Sequence, residues 1–222
     1  MDWQAIRLSL ALALTTVVLL APIAILLASL LVFGRFRGKA LVDAVITLPL
    51  VLPPTVLGFY LLVALGPHSF VGKFWTALTG GSLVFSFSGL VVASLILNLP
   101  FFVQPLVSAL GGVDKSYLEA AASLGAGPVS RVVRVALPLA WRGLVSGAVL
   151  SFAHTMGEFG VVLMVGGDLP GRTRTASIAV FDQVQALDLS SAHHTALFLL
   201  VLAFTVLVAV ALLKGTRRAW SF

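Results

Sequence analysis

The residues with the types and spacing to do chemistry are few, and they stand out against an apolar background. His154 and Glu158 lie one helical turn apart, so an imidazole and a carboxylate can meet and share a hydrogen bond. Pro53 and Pro54 carry no backbone N–H, and a helix drawn through them deprives the carbonyls of Pro49 and Leu50 of donors. If a half-helix opens at Pro54, the N–H groups of Thr55, Val56 and Leu57 form a positive end suited to an anion. Ser94, Asn98, Gln104 and Ser108 fall on one helical stripe, and Gly143, Gly147, Ser151, His154 and Glu158 on another. Arg172 and Arg174 are either solvated loop charges or a patch that attracts an anion or an acidic partner. Glu119 stands among Ala120, Ala121 and Gly125, a charged handle on a surface that a partner can approach closely. No G-x-x-x-x-G-K-[ST] occurs, so no phosphate-cradling loop is present. With no cysteine there is no disulfide or thiolate metal site, and no metal centre is expected.

The elements that hold these residues must be membrane helices. The chain has 222 residues, 59% hydrophobic and 10% charged, and a mean hydropathy of +1.10, which excludes an ordinary water-soluble domain. A crossing needs about 20 largely apolar residues with every backbone polar group satisfied internally. Segments 8–33, 41–65, 83–110, 144–165 and 196–213 qualify. Their unbroken apolar runs lack the period-2 alternation of a barrel strand. The expected fold class is all-α: a single polytopic membrane domain over 1–222 with about five transmembrane helices. The first segment lacks a basic start and exceeds a signal-peptide core in length, so it reads as a retained span.

The net charge of +6 does not point to nucleic acid, because the basic residues are placed as topology signals. Arg35, Arg37 and Lys39 follow span one. Lys115, Arg131, Arg134 and Arg142 follow span three, and Lys214, Arg217 and Arg218 follow span five. The opposite loops hold Lys73, Arg172 and Arg174. The bias predicts a plasma-membrane protein with its N-terminus outside and its C-terminus cytoplasmic. Trp3, Trp75, Trp141 and Trp220 sit near span ends, as interfacial anchors do.

The internal loop 111–143 is long enough to need structure of its own. Asp114 can cap a helix through Leu124, Gly125 can stop it, and Pro128 can open a second helix ending near Pro138. Leu118, Ala121, Ala122 and Gly125 share one face of the first helix, and Val129, Val132, Val133 and Ala136 one face of the second. Periodicity leaves two readings open: a helix-turn-helix resting on lipid headgroups, or one that docks a partner.

The series Glu119-Ala120-Ala121, Gly125 and Val135-Ala136-Leu137-Pro138 resembles the EAA motif of ABC importer permeases. That resemblance implies a coupling helix seated in a cleft of a separate ATPase, with Glu119, Ala120, Ala121, Gly125, Leu137 and Pro138 as the ATPase-coupling residues. It further implies a chain that is not itself an enzyme and binds no cofactor, ATP being used by the partner subunit. The stretches 47–58, 157–160 and 166–175 are similar to the molybdate branch of these permeases and less closely to the sulfate branch. Asp168 departs from that pattern, where Asn is common. The implied assembly is a homodimer in the bilayer, with two ATPase subunits inside and an oxyanion-binding protein outside. The cargo that the resemblance implies is molybdate, with tungstate or sulfate as alternatives.

Pro53, Pro54, Thr55, Asn98, Gln104, His154 and Glu158 are the candidates for a translocation pathway or gate. Each has a plainer reading as a kink or an inter-helix contact. Glu158 is not assigned as a ligand, because its anion would repel a dianion. A carboxylate left unpaired at mid-membrane costs roughly 2.5–3.5 kcal/mol, which a hydrogen bond from His154 would relieve. A membrane scaffold using loop 111–143, or a channel, are the rival classes.

Overall fold

In the computed structural model, which describes residues 2–214, the chain is 81% helical. No strand occurs among the described residues, in line with the all-α expectation. Arg217, Arg218 and Trp220 lie outside the described residues.

Helix α1 (Trp3–Phe33) begins earlier than expected because the Asp2 carboxylate accepts from Ala5 N at 3.0 Å and caps it. The expected second span is two helices, α2 (Lys39–Val51) and α3 (Pro54–Leu65), bent by 114°. The expected break at the proline pair is real and sharp: Leu52 and Pro53 are extended, and Pro54 opens α3 at N1. A short helix α4 (Phe70–Thr79), capped by Ser69, precedes α5 (Phe87–Gly111), capped by Ser86. In α5, Pro100 and Pro105 are accommodated without a break.

The loop after α5 holds α6 (Lys115–Ser123), α7 (Pro128–Arg131), a π-helical turn Val132–Ala136 and α8 (Leu137–Leu139). The π turn lies just before Pro138, whose ring would clash with the Arg134 carbonyl in a regular α-helix. Widening the turn, with Leu137 N donating to Val132 O, carries the helix past Pro138 to Leu139. The expected fourth span is also broken, into α9 (Trp141–Gly157) and α10 (Gly160–Gly166), with Glu158 extended between them. That break was not expected. Helix α11 (Ala176–Gln185) leads to α12 (Leu189–Lys214), which starts before the expected span at 196.

Among the described residues three helices, α1, α5 and α12, are each long and apolar enough to cross a membrane, and taking each of two bent pairs as one span, α2 with α3 and Pro128–Leu139 with α9 (75°), raises the number to as many as five. Helix α5 is the centre of the bundle. Its second half packs Phe102, Val103, Leu106 and Leu110 against Leu20, Ala24, Ala28 and Leu31 of α1. Its first half packs Ala93 and Leu97 against Leu57, Leu61 and Leu65 of α3 and Val161 and Val165 of α10. In hydrocarbon such contacts rely on close packing rather than on expelling water, so small residues set the approach. A Cβ on Gly147 would lie 2.7 Å from the Phe102 carbonyl oxygen, and one on Gly143 would lie 2.3 Å from Ala109 Cβ. The glycine stripe on α9 therefore makes the tight contact expected of it. Helix α12 is peripheral, with Leu200, Phe204 and Leu212 exposed along it.

Candidate coupling surface and pathway

The loop 111–143 forms as its local signals dictate. Asp114 Oδ1 accepts from Ser116 N at 2.9 Å, and Gly125 takes φ +84, where an L side chain is strained. The Asp114 carboxyl is held below its ordinary range by those hydrogen bonds from Ser116. Glu119, Ala120, Gly125 and Pro138 are exposed, while Ala121 and Leu137 are half-buried. The expected stripe divides, since Leu118 and Ala136 turn into the bundle but Ala122, Gly125 and Val133 face out. Tyr117 (58% exposed), Leu124 (89%) and Val129 (76%) are exposed in the same loop as Glu119, so this segment presents apolar side chains as well as a carboxylate.

Mid-bundle, the second and fourth crossings bring their breaks together. A Cβ on Gly160 would lie 2.9 Å from Pro54 Cβ, and one on Gly58 would lie 2.9 Å from Met164 Cβ. The starts of α3 and α10 are thus in contact. Glu158 caps the second of them, its Oε1 accepting from Val161 N at 2.9 Å while Ser177 Oγ donates to its carbonyl. His154 is not its hydrogen-bond partner: Nε2 lies 4.0 Å from Glu158 Oε2, too far. The imidazole instead stacks on Phe101 with centroids 3.9 Å apart and places Nδ1 3.3 Å from Asn98 Oδ1.

Asn98 is fully buried, and its Nδ2 donates to the Ser94 carbonyl at 2.8 Å and to Thr155 Oγ1 at 3.0 Å. The polar stripe of α5 therefore splits. Asn98 meets α9, Ser94 is buried, Ser108 is exposed, and half-buried Gln104 donates to Asp43 Oδ1 at 2.9 Å. Asp43, inside the 41–65 run, was missed as the acceptor for Gln104, because the two are 61 residues apart in the chain. Pro53, Pro54 and Thr55 are exposed. The half-helix offers less to an anion than three N–H groups, because Val56 N and Leu57 N both donate to Pro53 O, at 2.9 and 3.1 Å. Only the Thr55 N–H of that set is left.

At the far end, Arg174 is not a free charge. It forks onto Asp168, Nη2 donating to Oδ2 at 2.8 Å and Nε to Oδ1, and Asp182 Oδ2 lies 3.4 Å from Nη2. This pairing gives the acidic departure at 168 a role, since Asn could not take the bidentate charge pair. Arg174 holds the Asp168 carboxyl below its ordinary range, whereas burial and the neighbouring Asp168 raise Asp182. Arg172 remains exposed, and with Gln4 and Arg7 of α1 it lines a groove of about 520 Å³. Arg7, one turn into α1, is a further basic group missed in the sequence.

The class of protein to which this helical bundle and its exposed carboxylate-bearing loop belong is a transport permease, by its family. The chain belongs to the family described as the binding-protein-dependent transport system inner membrane component, which matches residues 6–217; it is a multi-pass plasma-membrane protein. It is 48% identical over 217 residues to the molybdenum transport system permease protein ModB of Azotobacter vinelandii, covering 98% of this chain and 95% of that protein. The ModB of Escherichia coli (strain K12) is 40% identical over 184 residues, covering 83% and 80%. Among solved structures, a bacterial ABC transporter for the import of alginate shares the fold at a TM-score of 0.75, with 16% identity over 97% of this chain and 79% of that one.

Proposed function

We propose that this chain is the membrane-spanning permease subunit of an ABC importer for an oxyanion, molybdate before tungstate or sulfate. Two copies form the pathway, two ATPase subunits bind the face carrying α6–α8, and an oxyanion-binding protein docks at the opposite end. The N-terminus is then outside and the C-terminus cytoplasmic, as the basic loops require. The observation that carries the reading is the exposed surface of α6 and α7, with Glu119 beside Ala120 and a left-handed Gly125. Support for the cargo comes from the relatives named for molybdenum transport.

ATP is hydrolysed by the partner, and its motion reaches the bundle through α6. Because Ala136, Ala140 and Leu137 belong to the core shared by α1 and α5, a push on α6–α8 is transmitted to the crossings rather than absorbed by a slack loop. On the outer side, Arg172 and Arg7 are the groups available to an acidic surface of the binding protein.

ATP-driven molybdate uptake in proteoliposomes containing the permease, its ATPase and the binding protein tests the whole reading. Uptake should be competed by tungstate more strongly than by sulfate. Gly125→Leu, at φ +84, should leave the protein inserted but abolish coupled uptake. Unimpaired uptake by that variant would refute the docking role, and sulfate as the stronger competitor would refute the cargo.

A further inference from the structure

At the end that carries α6–α8, two segments distant in sequence close a cavity of about 430 Å³, within the roughly 300–1,000 Å³ range of small-ligand sites. The α1–α2 turn contributes Arg35 and Lys39, and the loop after α5 contributes Lys115 and Arg131. Glu119 is the single carboxylate in that lining. Among the described residues none of the four cations is ion-paired. Arg131 also buries its Nε with no hydrogen-bond partner on the protein, a costly arrangement for a guanidinium N–H. Topology alone does not require this convergence. Basic residues that only mark the inner face need not converge: Arg142 lies over the Trp141 ring at 5.8 Å, and Arg134 is exposed, both outside the cavity.

Like charges drawn into one concavity repel unless an anion joins them, and the Arg fork matches the geometry of tetrahedral oxygens. We propose that this cavity binds one tetrahedral oxyanion group, supplied either by the phosphate of an anionic inner-leaflet lipid or by a free oxyanion of the cytoplasm. The bound group would bridge the α1–α2 turn to the segment bearing Glu119, so that occupancy stiffens the loop against the bundle. Lipid is a physically ready source, since basic pockets between helices at the inner face take anionic headgroups.

The full chain in phosphatidylcholine nanodiscs, with phosphatidylglycerol added or with inorganic phosphate titrated, separates the two sources. Retention of one phosphatidylglycerol per chain in native mass spectrometry would assign the lipid; saturable phosphate binding without anionic lipid would assign the free ion. Either signal should weaken about tenfold in Arg131→Gln and stay unchanged in Arg134→Gln, which removes the same charge outside the cavity. Arg35→Gln against Arg37→Gln repeats the comparison on the turn should Arg131→Gln fold poorly. Equal weakening within each pair, or no saturable binding of either probe, overturns the site. The measurement needs neither ATPase nor binding protein, so it stands apart from the transport reading.

Discussion

The two broken crossings abut yet are opened by different means. In α2–α3 the break is chemical and local: Pro53 and Pro54 lack donors, Pro54 sits at N1, and no side chain caps the new helix. In α9–α10 no proline is present, and the break is held by Glu158, whose carboxylate receives Val161 N while Ser177 secures its carbonyl. A proline break is carried by the chain itself, whereas a glutamate break exists only where neighbouring helices make room for it. Gly160 supplies that room by letting the start of α10 approach Pro54.

The contact between the breaks is the feature most exposed to mutation. Gly160→Leu places a branched side chain where even a Cβ would lie 2.9 Å from Pro54 Cβ. It should cost about 3 kcal/mol through overpacking, read as a lowered thermal midpoint in detergent. An unchanged midpoint would mean that the breaks are not packed together. Next in size is Glu158→Ala, which uncaps α10 and strands the Val161 N–H at about 1–2 kcal/mol. Glu158→Gln keeps an acceptor and should retain most of the stability. Equal damage by the two variants would show that charge rather than capping holds the break.

Asn98→Leu removes the link between α5 and α9 one turn before that break, at about 1 kcal/mol, and its effect should be non-additive with Thr155→Val. Additive losses in the double-mutant cycle would mean the bond is not formed. Pro53→Ala sharpens the comparison from the other side. If α10 packing now maintains the bend, the 114° angle should survive in spin-label distances and stability should change by less than about 1 kcal/mol. A straightened helix would return the whole cause to the proline.

The smallest effect concerns the far loop. Asp168, held below the ordinary carboxylate range by Arg174, contributes stability present above its unfolded value and lost as pH falls through its lowered one. Asp182 has the opposite sign: raised by burial and by Asp168, it favours the fold while protonated, and that contribution fades as pH rises through its raised value. Amide protection factors over 168–175 should therefore decline modestly as pH rises through the raised Asp182 value, and Asp182→Asn should remove that decline. Persistence of the decline in the variant would exclude Asp182 as its source.

Much of the coupling loop could be read from residue order because its devices act within a few positions: Asp114 on Ser116, Gly125 at φ +84, Pro128 at N1. The proline break was readable for the same reason. His154 and Glu158, by contrast, were paired on spacing, and the pairing failed because each had a better partner from elsewhere in the chain. Asn98 and Phe101 take the imidazole, and the backbone of α10 takes the carboxylate. Arg174 was read as a solvated charge or a patch for an anion or acidic partner, because only the folded turn brings Asp168, six residues earlier, into the fork and adds Asp182 of α11 beside it.

Sequence by itself determined that the chain is helical and lives in lipid, and that a helix-turn-helix with its cap at Asp114 and its stop at Gly125 follows the third apolar segment. Each of these depends on composition or on contacts a turn or two long. Only the tertiary structure decided that the two breaks meet, that Glu158 is a cap, that Asp43 holds Gln104, and that Arg35 and Arg131 face one cavity. In a bundle with a weak hydrophobic drive between helices, polar groups find whichever partner the packing of small residues brings within reach. Spacing along one helix cannot say which neighbour that will be.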